Sequence, residues 1–188
     1  LSDQEHLVLV TPEVLKELSE SPTPQGIVAE VQLDQPVLPE IWQGPYLVLE
    51  DIQDPGNLGT MVRTADAAGY QAVFISEKSA DVYNPKTLRS MQGSHFHLPI
   101  YRGSMMDFVG NLKQAGVSIL ATTLAHDSVD YRSLERPDKF ALIMGNEGQG
   151  ISDEMAQSAD HLVHISMPGQ AESLNVAVAA GIMMFQFI

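Results

Sequence analysis

Short apolar runs rich in β-branched residues alternate with segments of helical character from Tyr46 to the end of the chain. This alternation is typical of a parallel sheet whose strands are joined by crossover helices. The sequence therefore predicts an α/β fold, an open and mostly parallel sheet with helices on both faces. The predicted strands are residues 47–50, 72–76, 97–102, 118–124, 140–145 and 161–166.

Residues typical of helix ends support the helices between these strands. Short polar side chains are favoured as N-caps, and glycine is favoured where a helix ends in a left-handed residue. The predicted N-caps are Asn84, Ser104, Ser152 and Ser173. The predicted left-handed glycines are Gly69 and Gly116.

Residues 1–45 have a different pattern. We expect a short helix at 12–18, a strand-like segment at 27–33 and a linker at 36–45. This region is typical of the end of a separate upstream domain, and the chain begins with Leu rather than Met. The predicted division is therefore 1–45 and 46–188.

Composition excludes several classes of protein. The chain has 188 residues and no Cys, so disulfides, thiolate metal sites and a cysteine nucleophile are excluded. No apolar stretch is long enough to predict a membrane span, and no export signal opens the chain. We therefore expect a globular protein of the cytoplasm.

The charge is unevenly distributed. The formal net charge is −14, which by itself argues against a nucleic-acid partner because phosphate contacts supply most of that affinity. Residues 63–102, however, hold five basic and three acidic side chains, whereas no Lys or Arg follows Phe140. The part after Phe140 therefore suits a cationic ligand better than a phosphate-rich one.

The first segment with candidate chemistry is the turn after the first predicted strand. Asn57 lies in this turn, and Arg63 follows six residues later on the predicted helix. Open α/β sheets bind ligands at the carboxyl ends of their strands. We expect the Asn57 amide and the Arg63 guanidinium to face the same space, where they suit an anion.

The second segment is a glycine-rich turn after the fifth predicted strand. Gly145, Gly148 and Gly150 surround Asn146 and Glu147, and glycines let the backbone approach a flat ligand closely. Their order, G-x-x-G-x-G, differs from the dinucleotide fingerprint G-x-G-x-x-G. This difference disfavours a nicotinamide-dependent oxidoreductase, the rival enzyme class.

The third segment, residues 164–185, leads from a strand through a turn into a helix that is apolar nearly all round. Such a helix must be buried on more than one side. We expect it to pack against its own sheet and a second subunit, with a further C-terminal extension as the alternative cover.

In this order and spacing, the three segments resemble the SpoU (TrmH-like) family of SPOUT-fold RNA 2′-O-ribose methyltransferases. The matching motifs are N-x-G-x-x-x-R-x-A from Asn57, M-G-N-E-G-x-G from Met144 and E-S-L-N-V from Glu172. One departure is visible, because the family usually has proline directly after the isoleucine that ends the strand. Ser166 stands there in this chain, and the proline comes two places later, at Pro168.

The resemblance implies a C-terminal trefoil knot, a homodimer whose interface includes the last helix, and methyl transfer from S-adenosylmethionine without a metal. Carried over from the family, the cofactor-binding residues are Thr122, Leu124, Gly145, Glu147, Ile165, Met167, Ser173 and Leu174. The catalytic residues implied in the same way are Asn57, Arg63, Glu147, Ser173 and Asn175. In similar enzymes the arginine is assigned to the RNA phosphate and the 2′-hydroxyl.

The substrate is less constrained. Residues 1–45 are similar to the end of the RNA-binding domain that precedes the catalytic domain in many family members acting on ribosomal RNA, which favours ribosomal RNA over transfer RNA. A non-catalytic RNA-binding protein of the same fold is the alternative class. The pairs His95/His97 and His161/His164 have spacings seen in metal sites, but on strands these spacings need not converge on one ion.

Overall fold

The structure, a computed structural model, describes residues 7–19, 21, 23–32 and 36–188. The chain divides into two compact units, Leu1–Gln35 and Pro36–Ile188. The first contains helix α1 (Pro12–Leu18), whose N-cap Thr11 accepts a hydrogen bond from the backbone of Val14. This confirms the predicted helix.

The strand predicted at 27–33 is wrong where the structure can test it. Residues 27–32 have no regular secondary structure, and Leu33 lies outside the described residues. Apolar, β-branched residues favour an extended chain, but a strand also needs a neighbour to pair its backbone groups. No strand occurs in the described part of the first unit to serve as that neighbour.

Residues 36–45, expected as a linker, belong to the second unit. The Trp42 ring stacks on Phe74 with centroids 5.8 Å apart, and the Tyr101 hydroxyl donates a hydrogen bond to the Val37 carbonyl. This segment therefore extends the packing of the main unit upstream of residue 46.

One parallel seven-stranded sheet forms the centre of the second unit, with strand order β3-β2-β1-β6-β4-β7-β5. Parallel pairing throughout confirms the predicted α/β class. The strands are β1 (Tyr46–Leu49), β2 (Ala72–Ser76), β3 (Ile100–Gly103), β4 (Ser118–Thr122), β5 (Val129–Asp130), β6 (Phe140–Met144) and β7 (His161–His164).

Two strands differ from the prediction. The strand expected at 97–102 begins only at Ile100, because a 3-10 helix occupies Ser94–Phe96 and His97 follows it in a helical conformation. The edge strand β5 was not predicted, since two residues carry no periodic pattern.

The helices of this unit are α2 (Pro55–Ala67), α3 (Pro85–Met91), α4 (Met105–Gln114), α5 (Asp153–Ser158) and α6 (Val176–Gln186). Asn84, Ser104 and Ser152 are N-caps as predicted, and Gly69 and Gly116 both have φ of +72°. Ser173 does not cap α6. Asn175 does, because its side-chain oxygen accepts hydrogen bonds from the first backbone N–H groups of the helix.

Helices cover both faces of the sheet. Alternate residues of β1 point to opposite faces, so Leu47 packs with α2, α3 and α6 while Val48 packs with α4 and α5. Strands buried on both faces explain the continuous apolar runs in the sequence. Within the described residues, the helices are all too short or too polar to cross a membrane. The trefoil knot stays a prediction.

Gly59 allows α2 and α3 to approach each other closely. A Cβ atom at this position would lie 2.5 Å from the Thr87 carbonyl oxygen and 2.6 Å from the Ser90 Cβ. Because α2 carries part of the first motif, this contact fixes the helix that bears Asn57 and Arg63.

We predict that Gly59→Ala lowers the free energy of unfolding by about 1–3 kcal/mol, because α2 and α3 must separate to admit the methyl group. Gly110→Ala in α4 is the matched control, since its Cβ would meet no atom within 4 Å. That change should stabilise by about 0.5–1 kcal/mol through helix propensity. Urea unfolding of both variants tests this, and equal effects would contradict it.

Candidate functional site

A cavity of about 500 Å³ lies beyond the carboxyl ends of β4, β6 and β7. Three loops line it, one after each strand. The lining includes every cofactor residue carried over from the resemblance, namely Thr122, Leu124, Gly145, Glu147, Ile165, Met167, Ser173 and Leu174. Its size is ordinary for a small-molecule site, and its position follows the rule for open α/β sheets.

The loop after β6 returns on itself directly after Gly145. Asn146 and Gly150 exchange two backbone hydrogen bonds of 2.9 Å, and Gly150 adopts a φ of +72°. A Cβ on Gly145 would lie 2.2 Å from the Gly150 carbonyl carbon, so a glycine is required there. The glycines predicted to admit a ligand therefore also let the loop fold against itself.

Asn146 fixes this loop from inside. Its side-chain oxygen accepts hydrogen bonds from the backbone N–H groups of Gly148 and Gln149, and its amide donates to the Asp51 carbonyl at 2.8 Å. Sequence reasoning did not assign Asn146 a role, although its place between two motif glycines was a signal for such a turn.

The cavity lining is acidic. Glu147 and Glu172 are its carboxylates, and none of the lining residues is Lys or Arg. This agrees with the absence of basic residues after Phe140. An acidic lining with several apolar side chains suits a cationic ligand that also has a flat apolar part.

A chain of side-chain hydrogen bonds joins the ends of three elements at the rim of the cavity. Asn175, the N-cap of α6, donates from its amide to the Asn57 side-chain oxygen at 3.0 Å. Asn57, in the first turn of α2, donates in turn to the Glu147 carboxylate at 3.2 Å. The structure thus brings together three of the five predicted catalytic residues.

Glu147 also accepts hydrogen bonds from the backbone N–H groups of Gln53 and Asp54, each at 3.1 Å. Partial burial acts to raise the pKa of the Glu147 carboxyl, but the hydrogen bonds from Asp54, Gln53 and Asn57 outweigh it, so that the pKa is lowered. Glu147 is therefore ionised at neutral pH and serves as a fixed acceptor.

The other two predicted catalytic residues, Ser173 and Arg63, are not part of this series of hydrogen bonds. Ser173 lines the cavity, whereas Arg63 is exposed and does not. Asn57 lies within α2 rather than in the turn before it, and six residues place Arg63 about 120° away around the helix. The expectation that Asn57 and Arg63 face the same space stays a prediction.

Most basic side chains of residues 63–102 are already engaged. Lys86 pairs with Asp54 at 2.7 Å, and Arg102 donates to backbone carbonyls of the loop after β2. The Arg89 carbonyl accepts a hydrogen bond from Gln92, but the guanidiniums of Arg63 and Arg89 make no hydrogen bond or ion pair with the described residues. These two guanidiniums are therefore the ones available to an anionic partner.

The histidine pairs do not assemble a metal site in the described part of the chain, where no group of three or more possible ligands occurs. His97 instead lies 3.3 Å from Asp66, and the His164 ring contacts the Ser128 hydroxyl. His164 and Glu172 line the cavity without having been predicted. His164 ends a strand at the ligand-binding edge, which was a usable signal.

Comparisons with known proteins find similar sequences and structures. A model of the SpoU rRNA Methylase family matches residues 44–185. RlmP, a 23S rRNA (guanosine(2553)-2′-O)-methyltransferase of Bacillus subtilis, is 41% identical over 177 residues, which are 94% of this chain and 70% of that protein.

Two crystal structures of rRNA methyltransferase from Sinorhizobium meliloti are similar to the chain. One superposes with a TM-score of 0.82 at 36% identity, over 94% of this chain and 68% of that one. The other, with AdoMet bound, gives 0.74 at 41% identity, over 78% of this chain and 57% of that one. This chain thus spans between 57% and 70% of the lengths of these three proteins.

We predict that Glu147→Gln destabilises the fold in a pH-dependent way. The lowered pKa means that ionised Glu147 stabilises the folded state above its usual value of 4.5, and that this stabilisation is lost as the pH falls through the folded pKa. The difference in free energy of unfolding from wild type should be about 1 kcal/mol at pH 7, allowing for solvent screening, and should shrink below 4.5.

Urea unfolding across this pH range measures the difference. Glu135→Gln is the control, because Glu135 is exposed and makes no hydrogen bond or ion pair with the described residues. A pH-independent difference for the Glu147 variant would show that its carboxylate is not the source of the stabilisation.

Proposed function

Because the chain belongs to the SpoU rRNA methylase family, we propose that it transfers a methyl group from S-adenosylmethionine to a ribose 2′-hydroxyl of RNA. The observation that carries this proposal is the acidic cavity next to the Asn175–Asn57–Glu147 hydrogen-bond chain. The cavity provides a place for the methyl donor, and the hydrogen-bond chain provides fixed polar groups beside it.

The described residues fit S-adenosylmethionine. The chemistry that this cofactor supplies when bound is an activated methyl group on a positively charged sulfur. Glu147 and Glu172 give the lining the opposite charge, and Leu124, Ile165 and Met167 supply apolar surface for an adenine ring. Gly148 and Gly150 are exposed and also line the cavity, so no side chain at these two positions limits the approach of a ligand to the backbone.

The acceptor oxygen must be aligned behind the methyl carbon and made more nucleophilic. Ionised Glu147 accepts a hydrogen bond from the Asn57 side-chain nitrogen, and the Asn175 side-chain nitrogen donates to the Asn57 side-chain oxygen. Both side-chain amides therefore stay fixed while the ribose binds. Ser173 lines the same cavity and adds a hydroxyl. We assign these four residues to positioning the ribose and the donor.

Arg63 is assigned to the RNA. A guanidinium stays protonated in proteins and is a poor proton acceptor, so it orients the nucleotide and stabilises the alkoxide that develops on the 2′-oxygen. Its side chain is exposed and unpaired among the described residues, which leaves its donors available to a phosphate. In this assignment, Arg63 contributes to the transfer step and not to cofactor affinity.

Ribosomal RNA is the proposed substrate, with transfer RNA as the alternative. RlmP and the similar Sinorhizobium meliloti protein are both named as methyltransferases of ribosomal RNA, which supports this choice. Residues 1–35 are proposed as the end of an RNA substrate-binding domain, which would supply phosphate affinity that the acidic main unit lacks. The reaction on ribosomal RNA would take place in the cytoplasm.

A homodimer is proposed from the surface of α6. Ala177, Ala180 and Met183 of this helix are buried against its own sheet, while Val178 and Phe185 are 52% and 54% exposed. These two residues are two helical turns apart and share one face. An exposed apolar face next to the cavity is typical of an interface between subunits.

We predict that Arg63→Ala reduces methyl transfer by about a hundredfold or more, because the developing charge loses its hydrogen-bond donor. Binding of S-adenosylhomocysteine, followed by thermal shift, should stay close to wild type. Arg136→Ala is the control, since the Arg136 side chain is also exposed and makes no hydrogen bond or ion pair with the described residues, and we assign it no role toward RNA. Radiolabelled methyl transfer to ribosomal and transfer RNA measures the activity, and full turnover by the Arg63 variant would remove Arg63 from the reaction.

We predict that Phe185→Glu converts the dimer into monomers, because a carboxylate would be buried without a partner in the proposed interface. Met106→Glu, on α4 at the opposite face of the sheet, is the control and should leave the assembly unchanged. Sedimentation velocity distinguishes the two. A wild-type protein that sediments as a monomer would overturn the dimer proposal.

A further inference from the structure

The loop after β7 supplies four of the eight predicted cofactor-binding residues but makes few hydrogen bonds to the rest of the protein. Ile165, Met167, Ser173 and Leu174 line the cavity, yet no residue from 165 to 174 lies in a helix or strand. In this stretch, every hydrogen bond to another described residue is made by a single atom, the hydroxyl oxygen of Ser166. That hydroxyl is therefore the polar tether of the loop.

The stronger partner of the Ser166 hydroxyl is a carboxylate. Ser166 donates to Asp130 Oδ2 at 2.5 Å, and its oxygen also lies 3.5 Å from His164 Nε2. Short hydrogen bonds from a hydroxyl to an ionised carboxylate are among the strong ones. Asp130 belongs to β5 and pairs directly with His164 of β7, so the tether crosses between adjacent strand ends.

Arg132 holds the Asp130 carboxylate in place. Its Nε and one terminal nitrogen donate to the two oxygens at 2.8 and 3.0 Å, and its backbone N–H donates a third hydrogen bond. The hydrogen bonds from Arg132 and Ser166 keep the pKa of Asp130 well below its usual range. The acceptor is therefore ionised and fixed before the loop docks on it.

Ser166 lies between two residues that face the cavity. Ile165 and Met167 line it, whereas Ser166 does not and instead contacts Asp130. In an extended chain, neighbouring side chains point in opposite directions, so a tether at Ser166 sets the direction of both neighbours.

We propose that Ser166 and Asp130 are positioning residues for the cofactor, forming a clamp that holds the loop of residues 165–174 in its ligand-binding shape. The clamp restrains the loop through the hydrogen bond from Ser166 to Asp130. Arg132 belongs to the clamp because it fixes Asp130. This inference rests on the proposed function, since it assigns the cavity to S-adenosylmethionine.

Calorimetric titration with S-adenosylhomocysteine tests the clamp. We expect Ser166→Ala and Asp130→Asn each to weaken binding about tenfold. Without the hydrogen bond, part of the binding free energy must be used to order the loop. The double variant should bind about as weakly as either single variant, since both changes remove the same contact. Ser166→Thr keeps the hydroxyl and should bind almost as tightly as wild type.

A kinetic measurement separates positioning from a general structural role. The KM for S-adenosylmethionine should rise by the same factor in Ser166→Ala, while kcat at saturation stays near that of wild type. Ser158→Ala is the matched control, because it also removes one hydroxyl hydrogen bond, to the Met155 carbonyl, but outside the cavity. Thermal unfolding without ligand should be alike in both variants.

The outcomes distinguish the clamp from the proposed function. If wild type binds S-adenosylhomocysteine and the Ser166→Ala and Asp130→Asn variants bind it equally well, the clamp is overturned and the proposed function stands. If wild type does not bind it, the proposed function fails and the clamp with it. A loss of binding that Ser158→Ala shares would likewise overturn a specific role for Ser166.

Discussion

The hydrogen bonds of the Glu147 carboxylate hold the two sides of the candidate site together. One side is the loop after β6, and the other is the start of α2, which follows the neighbouring strand β1. By accepting from Gln53, Asp54 and Asn57, this carboxylate fixes the loop and the helix against each other. Asn57 is thereby oriented so that its side-chain oxygen accepts the hydrogen bond from Asn175. The arrangement of these side chains at the rim of the cavity therefore depends on the Glu147 carboxylate.

The site separates two opposite electrostatic requirements. The cavity has acidic and apolar side chains and no Lys or Arg, which suits a sulfonium cofactor. The guanidiniums of Arg63 and Arg89 lie outside it, where a polyanionic acceptor can reach them. Other basic side chains of this region are already paired within the protein: Lys86 with the Asp54 carboxylate and Arg102 with backbone carbonyls. The main unit therefore offers few free positive charges to RNA. An additional RNA-binding region is consistent with that shortage.

The sequence predicted the sheet well because strands buried on both faces leave continuous apolar runs, and five of the six predicted strands lie within about two residues of their observed bounds. The prediction failed where local pattern and tertiary packing disagree. Residues 27–32 have the composition of a strand but no partner strand among the described residues of their unit. Residues 36–45 have the composition of a linker, yet Trp42 stacks on the sheet.

The residue types of the site were determined by the sequence alone, since the motifs around Asn57, Glu147 and Asn175 place them after three strands of one parallel sheet. Tertiary structure alone decided their arrangement. Ser173 lines the cavity while Asn175 caps α6, and Arg63 is exposed and does not line the cavity. Ser166 can donate to Asp130 because β5 lies beside β7 in the sheet. Hydrogen bonds between residues distant in sequence depend on strand order, which cannot be read from a local sequence pattern.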